Sequence, residues 1–229
     1  MGPRHEGTLR RSMRISRRRR QPESTKLHVG AFDVAHDGWL NTDVTPHMAI
    51  ARVPGLARLL HRAGRLSDER WAAYRDGTFA RMHYLDLTRP LPYPDGAFEA
   101  VFGSHVLEHL TPGEAEAALR ELHRVLQPGG IIRIAVPDLD HEIGRYDPER
   151  PDEFLEGLLQ GRERSRSRHR HWWLYNERSL RALLGRTGFT AIRRTAYREG
   201  RCPDVERIDS RPGSLFMEAN AAPRTRTAR

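Results

Sequence analysis

Apolar positions along the chain fall into short runs separated by glycine, proline and polar turns, and the period of each run predicts its element. Lys26 to Gly30 is short, β-prone and closed by glycine, and Trp39 to Asp43 reads as a second strand ending in an acid. From Thr45 to Gly77, Leu56, Leu59, Leu60 and Leu66 sit near helical spacing, with more helix around Trp71 and Tyr74. This predicts an insertion of two short helices over residues 45–77. Phe79 to Leu85 alternates and predicts a third strand, with Asp86 at its end, and Ala97 to Gly103 predicts a fourth. Thr111, Pro112 and Glu114 carry the signature of a capped helix start, and Gln127-Pro-Gly-Gly130 stops that helix. Ile131 to Val136 is a continuous apolar run, as expected of a strand buried on both faces. Helices over Phe154 to Gln160 and Ser179 to Arg186, then strands over Thr190 to Tyr197 and Ser214 to Glu218, complete the pattern. Strands alternating with helices predict an α/β fold: a mostly parallel sheet with helices on both faces, closed by a hairpin-like C-terminal strand pair.

The 229 residues suit one domain with a core large enough to be stable alone. Charged residues make up 30% and the formal net charge is +9, a balance that can signal nucleic acid or an anionic surface. The arginines, however, crowd the ends: Arg4, Arg10, Arg11, Arg14 and Arg17 to Arg20 at the start, Arg224, Arg226 and Arg229 at the finish. Blocks of like charge repel and solvate, so residues 1–24 and 221–229 are expected as disordered tails around a domain spanning 25–220. A further cluster, Arg162, Arg164, Arg166, Arg168 and Arg170, reads as a solvated segment or, functionally, as a clamp for an acidic substrate. Cys202 is the single cysteine, which rules out an internal disulfide and a cysteine metal cluster and fits a reducing cytoplasm. No apolar run approaches the roughly 18 residues that span a bilayer. The arginine-rich start lacks the apolar region a signal peptide needs.

Ligands of an open α/β sheet sit beyond the carboxyl ends of its strands. There the sequence places Gly30, Ala31, Phe32 and Asp33 after strand one, Asp43 after strand two, and Asp86 with Leu87 after strand three. Ser104, His105, Glu108 and His109 follow strand four, and Asp138 and Asp140 follow strand five. Gly30 permits a tight turn and close approach of the backbone to a ligand. Asp43 can accept from two ribose hydroxyls, and Asp86 from a purine amine, with Leu87 against the ring. His105 and His109 share a face if their stretch is helical, and His105 is the candidate general base. His169, His171, Trp172, Trp173 and Tyr175 form a dense aromatic cluster. The simpler expectation is that the tryptophans pack a helix on the sheet; the functional one is that they stack on a planar acceptor. His169 and His171 lack the i, i+4 spacing of helical zinc motifs, so no metal is expected.

The run Leu91-Pro-Tyr-Pro-Asp-Gly-Ala-Phe-Glu-Ala-Val-Phe-Gly-Ser-His-Val-Leu-Glu-His-Leu110 resembles the strand-four region of class I S-adenosylmethionine-dependent methyltransferases of the type 11-like branch. The likeness continues through Glu121-Leu-His-Arg-Val-Leu-Gln-Pro-Gly-Gly130 and Ile134-Ala-Val-Pro-Asp138, and extends to Gly38-Trp-Leu-Asn-Thr-Asp43, residues 171–189 and Ser214-Leu-Phe-Met-Glu218. It implies a seven-stranded Rossmann-like sheet, S-adenosylmethionine as cofactor, and cofactor contacts at Gly30, Ala31, Phe32, Asp43, Asp86, Leu87, Ser104 and His105. His105 and His109 would be the catalytic candidates. The family's run of small residues after strand one is here Val-Gly-Ala-Phe-Asp, with bulky Phe32. Only about nine residues then lead to the second strand, where a parallel crossover usually takes a dozen or more.

The function expected is methyl transfer to a small-molecule or glycan-precursor acceptor. One alternative is a catalytically silent relative that keeps the fold as a binding or scaffold protein, suggested by Phe32 and the short loop. The other is an RNA-directed methyltransferase, suggested by the arginines, although the tails lack the interleaved aromatics of single-strand binders. The sequence is silent on oligomeric state.

Overall fold

The computed structural model describes residues 20–159 and 170–223. The predicted tails therefore fall mostly outside the described residues, as do Arg162 to Arg168 and His169. Seven strands form one sheet: β1 (Lys26–Val29), β2 (Leu40–Asp43), β3 (His83–Tyr84), β4 (Phe98–Ser104), β5 (Leu126–Pro137), β6 (Phe189–Thr195) and β7 (Ser214–Ala221). Their order is β3-β2-β1-β4-β5-β7-β6. The pairs among β1 to β5 are parallel, while β7 runs antiparallel to both β5 and β6. The sheet type and the antiparallel C-terminal pair are as the sequence predicts.

Alternation along the central strands sorts the core into two sides. Val101, Ile132, Ile134 and Val136 join Leu119 and Leu122 of α4 (Pro112–Val125) and Leu180 and Leu184 of α7 (Glu177–Arg186) in the main core. Ala100 and Phe102 instead meet Trp39, Cys202 and Ile208, the last from α8 (Val205–Ile208). Arg133, fully buried, projects among the residues of this second side. It bonds both oxygens of Asp209, Thr195 Oγ1 at 2.8 Å and Glu218 Oε1 at 3.1 Å, and so ties the β6–β7 connection to the sheet centre. Helix α4 starts on the predicted capping box, with Thr111 and Glu114 bonding each other's backbone.

Three predictions of element shape change. The insertion holds three helices, α1 (His47–Ala51), α2 (Leu56–Arg62) and α3 (Asp68–Arg75). They build a small core of their own, in which Phe79 stacks on His47 at 5.0 Å and meets Tyr74 at 4.6 Å. That packing explains the second change: Phe79–Arg81 is a 3-10 turn, and only His83–Tyr84 of the predicted third strand pairs with β2. The third change is at the Pro-Gly-Gly turn, which lies inside β5. Pairing begins at Leu126 opposite Phe98, and the register shifts before Ala100. Two short helices, α5 (Leu139–Gly144) and α8, escape the periodicity reading, and α6 (Pro151–Leu159) begins ahead of its predicted start. No helix among the described residues is long and apolar enough to cross a membrane.

Candidate active site

No helix connects β1 to β2. Side chains of β2 hold the connection instead. Asn41, 5% exposed, accepts from the backbone N–H of His36 at 2.8 Å and donates to the carbonyls of His36 and Trp39, both at 3.0 Å. Its Oδ1 also lies 3.0 Å from His28 Nδ1. Ala31 N–H reaches Thr42 O at 3.0 Å, and Thr42 Oγ1 reaches His28 O at 2.8 Å. Asn41 went unnoticed in the sequence; its signal is a lone amide between apolar and β-branched residues of a short strand. The turn begins at Gly30, with φ of +67°, where a Cβ would come within 2.8 Å of Val106. Close approach at this spot thus requires glycine.

Phe32, one of the few non-glycine residues in the left-handed region (φ 47°), is exposed. Its ring lies under the Arg70 guanidinium of α3 at 4.5 Å, and Arg70 also pairs with Asp33 at 2.9 Å. The insertion thereby grips the loop after β1. Asp43 stands at the tip of β2, and β3 runs beside it with Tyr84 as register partner, so Asp86 lies just beyond the neighbouring tip. Asp43 Oδ2 accepts from Phe32 N–H at 2.9 Å and Oδ1 from Thr45 N–H at 2.7 Å. Asp86 Oδ1 accepts from Thr88 N–H at 3.0 Å and Thr88 Oγ1 at 2.6 Å, and Oδ2 lies 3.3 Å from Arg89 Nε. Leu87 belongs to the main core and is 7% exposed. The two acids are thus neighbours at one rim, each oriented by its own turn.

At the tips of β4 and β5 a second group gathers. Ser104 ends β4, and His105 follows with φ of 53°. His105 Nε2 lies 2.8 Å from Ser214 Oγ, and Nδ1 lies 3.0 Å from Glu108 Oε1. Residues 107–109 form a 3-10 turn, not the helix that would put His105 and His109 on one face. His105 turns to Ser214, whereas His109 faces His171, with ring centres 5.2 Å apart. Glu108 is fully buried, and among the described residues neither carboxylate oxygen has a hydrogen-bond partner. Among the described residues the buried Tyr175 hydroxyl also lacks one, and its pKa is pushed up to about 12 by burial and by the Glu108 charge. Burial holds His171 below the usual histidine range, against the opposing pull of Glu108.

The 170–175 segment crosses these tips. Trp172 N–H donates to Glu108 O at 2.7 Å, and Leu139 N–H to Tyr175 O at 2.9 Å. Trp172 and Trp173 are about half exposed, which corrects the expectation that they pack a helix on the sheet. The Arg170 guanidinium sits 3.2 Å over the Trp172 ring. Beside Ser214, a shallow cavity of about 440 Å³ is lined by Arg194, Tyr197 and Phe216 among others. Asp138 caps α5 and pairs with Arg194 at 3.0 Å.

Residues 57–134, from α2 into β5, match a family described as a methyltransferase domain. An uncharacterized methyltransferase of Synechocystis sp. is 32% identical over 114 residues, half of this chain; the chain spans about half (49%) of that relative's length. Among solved structures, the Haemonchus contortus phosphoethanolamine N-methyltransferase 2 complex superposes with a TM-score of 0.51 at 16% identity, over 88% of this chain and 50% of that one. That likeness is one of fold. The matched residues 57–134 thus resemble a methyltransferase domain, and they run from the insertion into the centre of a sheet ordered β3-β2-β1-β4-β5-β7-β6.

Proposed function

We propose that the chain catalyses methyl transfer from S-adenosylmethionine to a small-molecule or glycan-precursor acceptor. The observation that carries this reading is the pair of acids, Asp43 and Asp86, at adjacent strand tips beside the tight turn at Gly30. The residues fit an adenosine. Each Asp43 oxygen takes one backbone N–H, and an ionised carboxylate offers about four acceptor sites, so capacity remains for two ribose hydroxyls. Asp86, whose Oδ2 lies 3.3 Å from Arg89 Nε, would accept from the adenine amine. Gly30 and Ala31 would lie under the methionine part, and Ser104 and His105 beside the transferred group.

When bound, the cofactor supplies a methyl group on a sulfonium, and the protein contributes orientation and electrostatics. The Glu108 carboxylate beside Nδ1 favours the His105 tautomer protonated there, leaving Nε2 to accept from Ser214 Oγ–H. His105 therefore takes the acceptor's proton at Nε2, directly or through Ser214, while His109 faces His171. Trp172 and Trp173 offer exposed faces for a planar or sugar-like acceptor.

Calorimetry and thermal unfolding with S-adenosylmethionine and S-adenosylhomocysteine test the reading. Saturable heat and a raised melting temperature are expected. Folded protein that shows neither at millimolar ligand is the silent relative instead, with the Asp43 and Asp86 turns serving structure alone.

A further inference from the structure

We propose that Glu108, His109 and His171 form a binding site for a divalent transition-metal ion at the tip of β4. One donor atom from each lies within 4.8 Å of the others. The sequence hides the group: Glu108 and His109 are adjacent, while His171 arrives from beyond α6, in a segment pinned by the Trp172 N–H to Glu108 O bond.

Glu108 is the main argument. Its side chain is 0% exposed, and among the described residues neither oxygen has a hydrogen-bond partner. A carboxylate so placed has lost its hydration and requires a cation or hydrogen-bond donors to compensate it. Among the described residues no arginine or lysine pairs with Glu108; His105 Nδ1, 3.0 Å from Oε1 but outside hydrogen-bond alignment, is its single ion-pair neighbour. Buried carboxylates in this position are either paired or bound to metal.

The two imidazoles are prepared as ligands. His109 Nδ1 meets Arg170 O at 3.1 Å, and His171 Nδ1 meets Leu158 O at 3.0 Å. A carbonyl only accepts, so each Nδ1 carries the proton and each Nε2 keeps its lone pair. Backbone carbonyls fix metal-binding histidines in the same way. Two neutral imidazoles with one carboxylate suit zinc and its first-row neighbours better than magnesium or calcium. Ligand atoms about 2.0–2.2 Å from a tetrahedral ion lie roughly 3.3–3.5 Å apart, so closure needs side-chain shifts on the order of an ångström. Three protein ligands leave a position for an oxygen. If the methyl-transfer reading holds, that oxygen belongs to a hydroxyl acceptor, held next to His105 and acidified by the ion. Metal binding itself does not depend on that reading.

The test uses the full chain, stripped with chelator and titrated with ZnCl2 without cofactor, and loaded separately with Co2+. One equivalent of zinc is expected to bind, and cobalt to give visible d–d bands. Glu108→Gln and His171→Ala should each weaken zinc at least 100-fold, while His83→Ala, an exposed imidazole on the far edge strand, should not. If Glu108→Gln fails to fold, His109→Ala and His171→Ala, at partly exposed positions, carry the comparison. Absence of saturable binding, or equal binding by the histidine variants, overturns the site. Either result leaves cofactor binding to be decided by its own titration.

Discussion

The backbone N–H of Phe32 donates to Asp43 Oδ2 across the β1–β2 connection at 2.9 Å. One carboxylate therefore fastens the loop after β1 and, in the proposed function, holds the ribose. Asp43→Ala should weaken S-adenosylmethionine binding by about 1–3 kcal/mol, from the polar partners it leaves unpaired, and should lower stability because Phe32 and Thr45 lose their acceptor. Asp43→Asn keeps one acceptor oxygen and turns the other atom into a donor. It should unfold at higher urea than the alanine variant and still bind cofactor poorly. Unchanged affinity in folded Asp43→Asn would move the ribose elsewhere.

Asn41 carries more of the loop than Asp43 does. Its amide satisfies His36 N–H and the carbonyls of His36 and Trp39 in a buried setting. Asn41→Leu fills similar space but strands these groups, and unsatisfied buried groups cost about 1–3 kcal/mol. A urea midpoint lowered by that amount is expected, with the main core intact. A midpoint equal to wild type would mean that water replaces the amide.

These two residues show where sequence reasoning succeeds and stops. The acids at strand ends were legible because a polar residue closing an apolar run stands out, and the mostly parallel sheet followed from strands alternating with helices. The loop after β1 was not, because its stability comes from side chains of the next strand, which a local pattern does not reveal. Phe79 misled for a similar reason: its alternation suits a strand, but the insertion supplies Tyr74 and His47 as better packing partners. The grouping of Glu108 and His109 with His171 was hidden by sequence distance.

Acid should destabilise the protein through His28. Burial, then the His36 charge, lowers its pKa from 6.5 to about 3, against a smaller opposing effect of the Asn41 hydrogen bond. Between those values the unfolded chain binds the proton that the folded chain refuses. Stability is therefore complete above about pH 7 and falls as pH drops below about 6.5, by at most about 1.4 kcal/mol per unit from this group. His36, also lowered chiefly by burial, adds in the same direction. Urea unfolding of wild type at pH 7 and pH 5 should show the loss, and His28→Leu should flatten it. An equal slope in the variant would assign the acid sensitivity to other groups.

Gly30 offers a cleaner separation of causes, because two distinct penalties meet there. Its φ of +67° costs any L-residue roughly 1–2 kcal/mol, and a new Cβ would lie 2.8 Å from both Cβ and Cγ2 of Val106. Overpacking of that kind costs about 1–3 kcal/mol. Gly30→Ala should therefore destabilise by the sum, and should weaken S-adenosylmethionine because the strained turn forms the floor of its proposed site. Val106→Ala removes Cγ2 and relieves part of the clash but cannot change the backbone angle. In the double variant Gly30→Ala/Val106→Ala, stability should return only in part relative to the two single variants, leaving a residual above the left-handed penalty because Cβ of residue 106 still lies 2.8 Å away. A double-mutant cycle in urea measures this coupling directly. Strict additivity of the two substitutions would show that Val106 does not crowd Gly30 in solution.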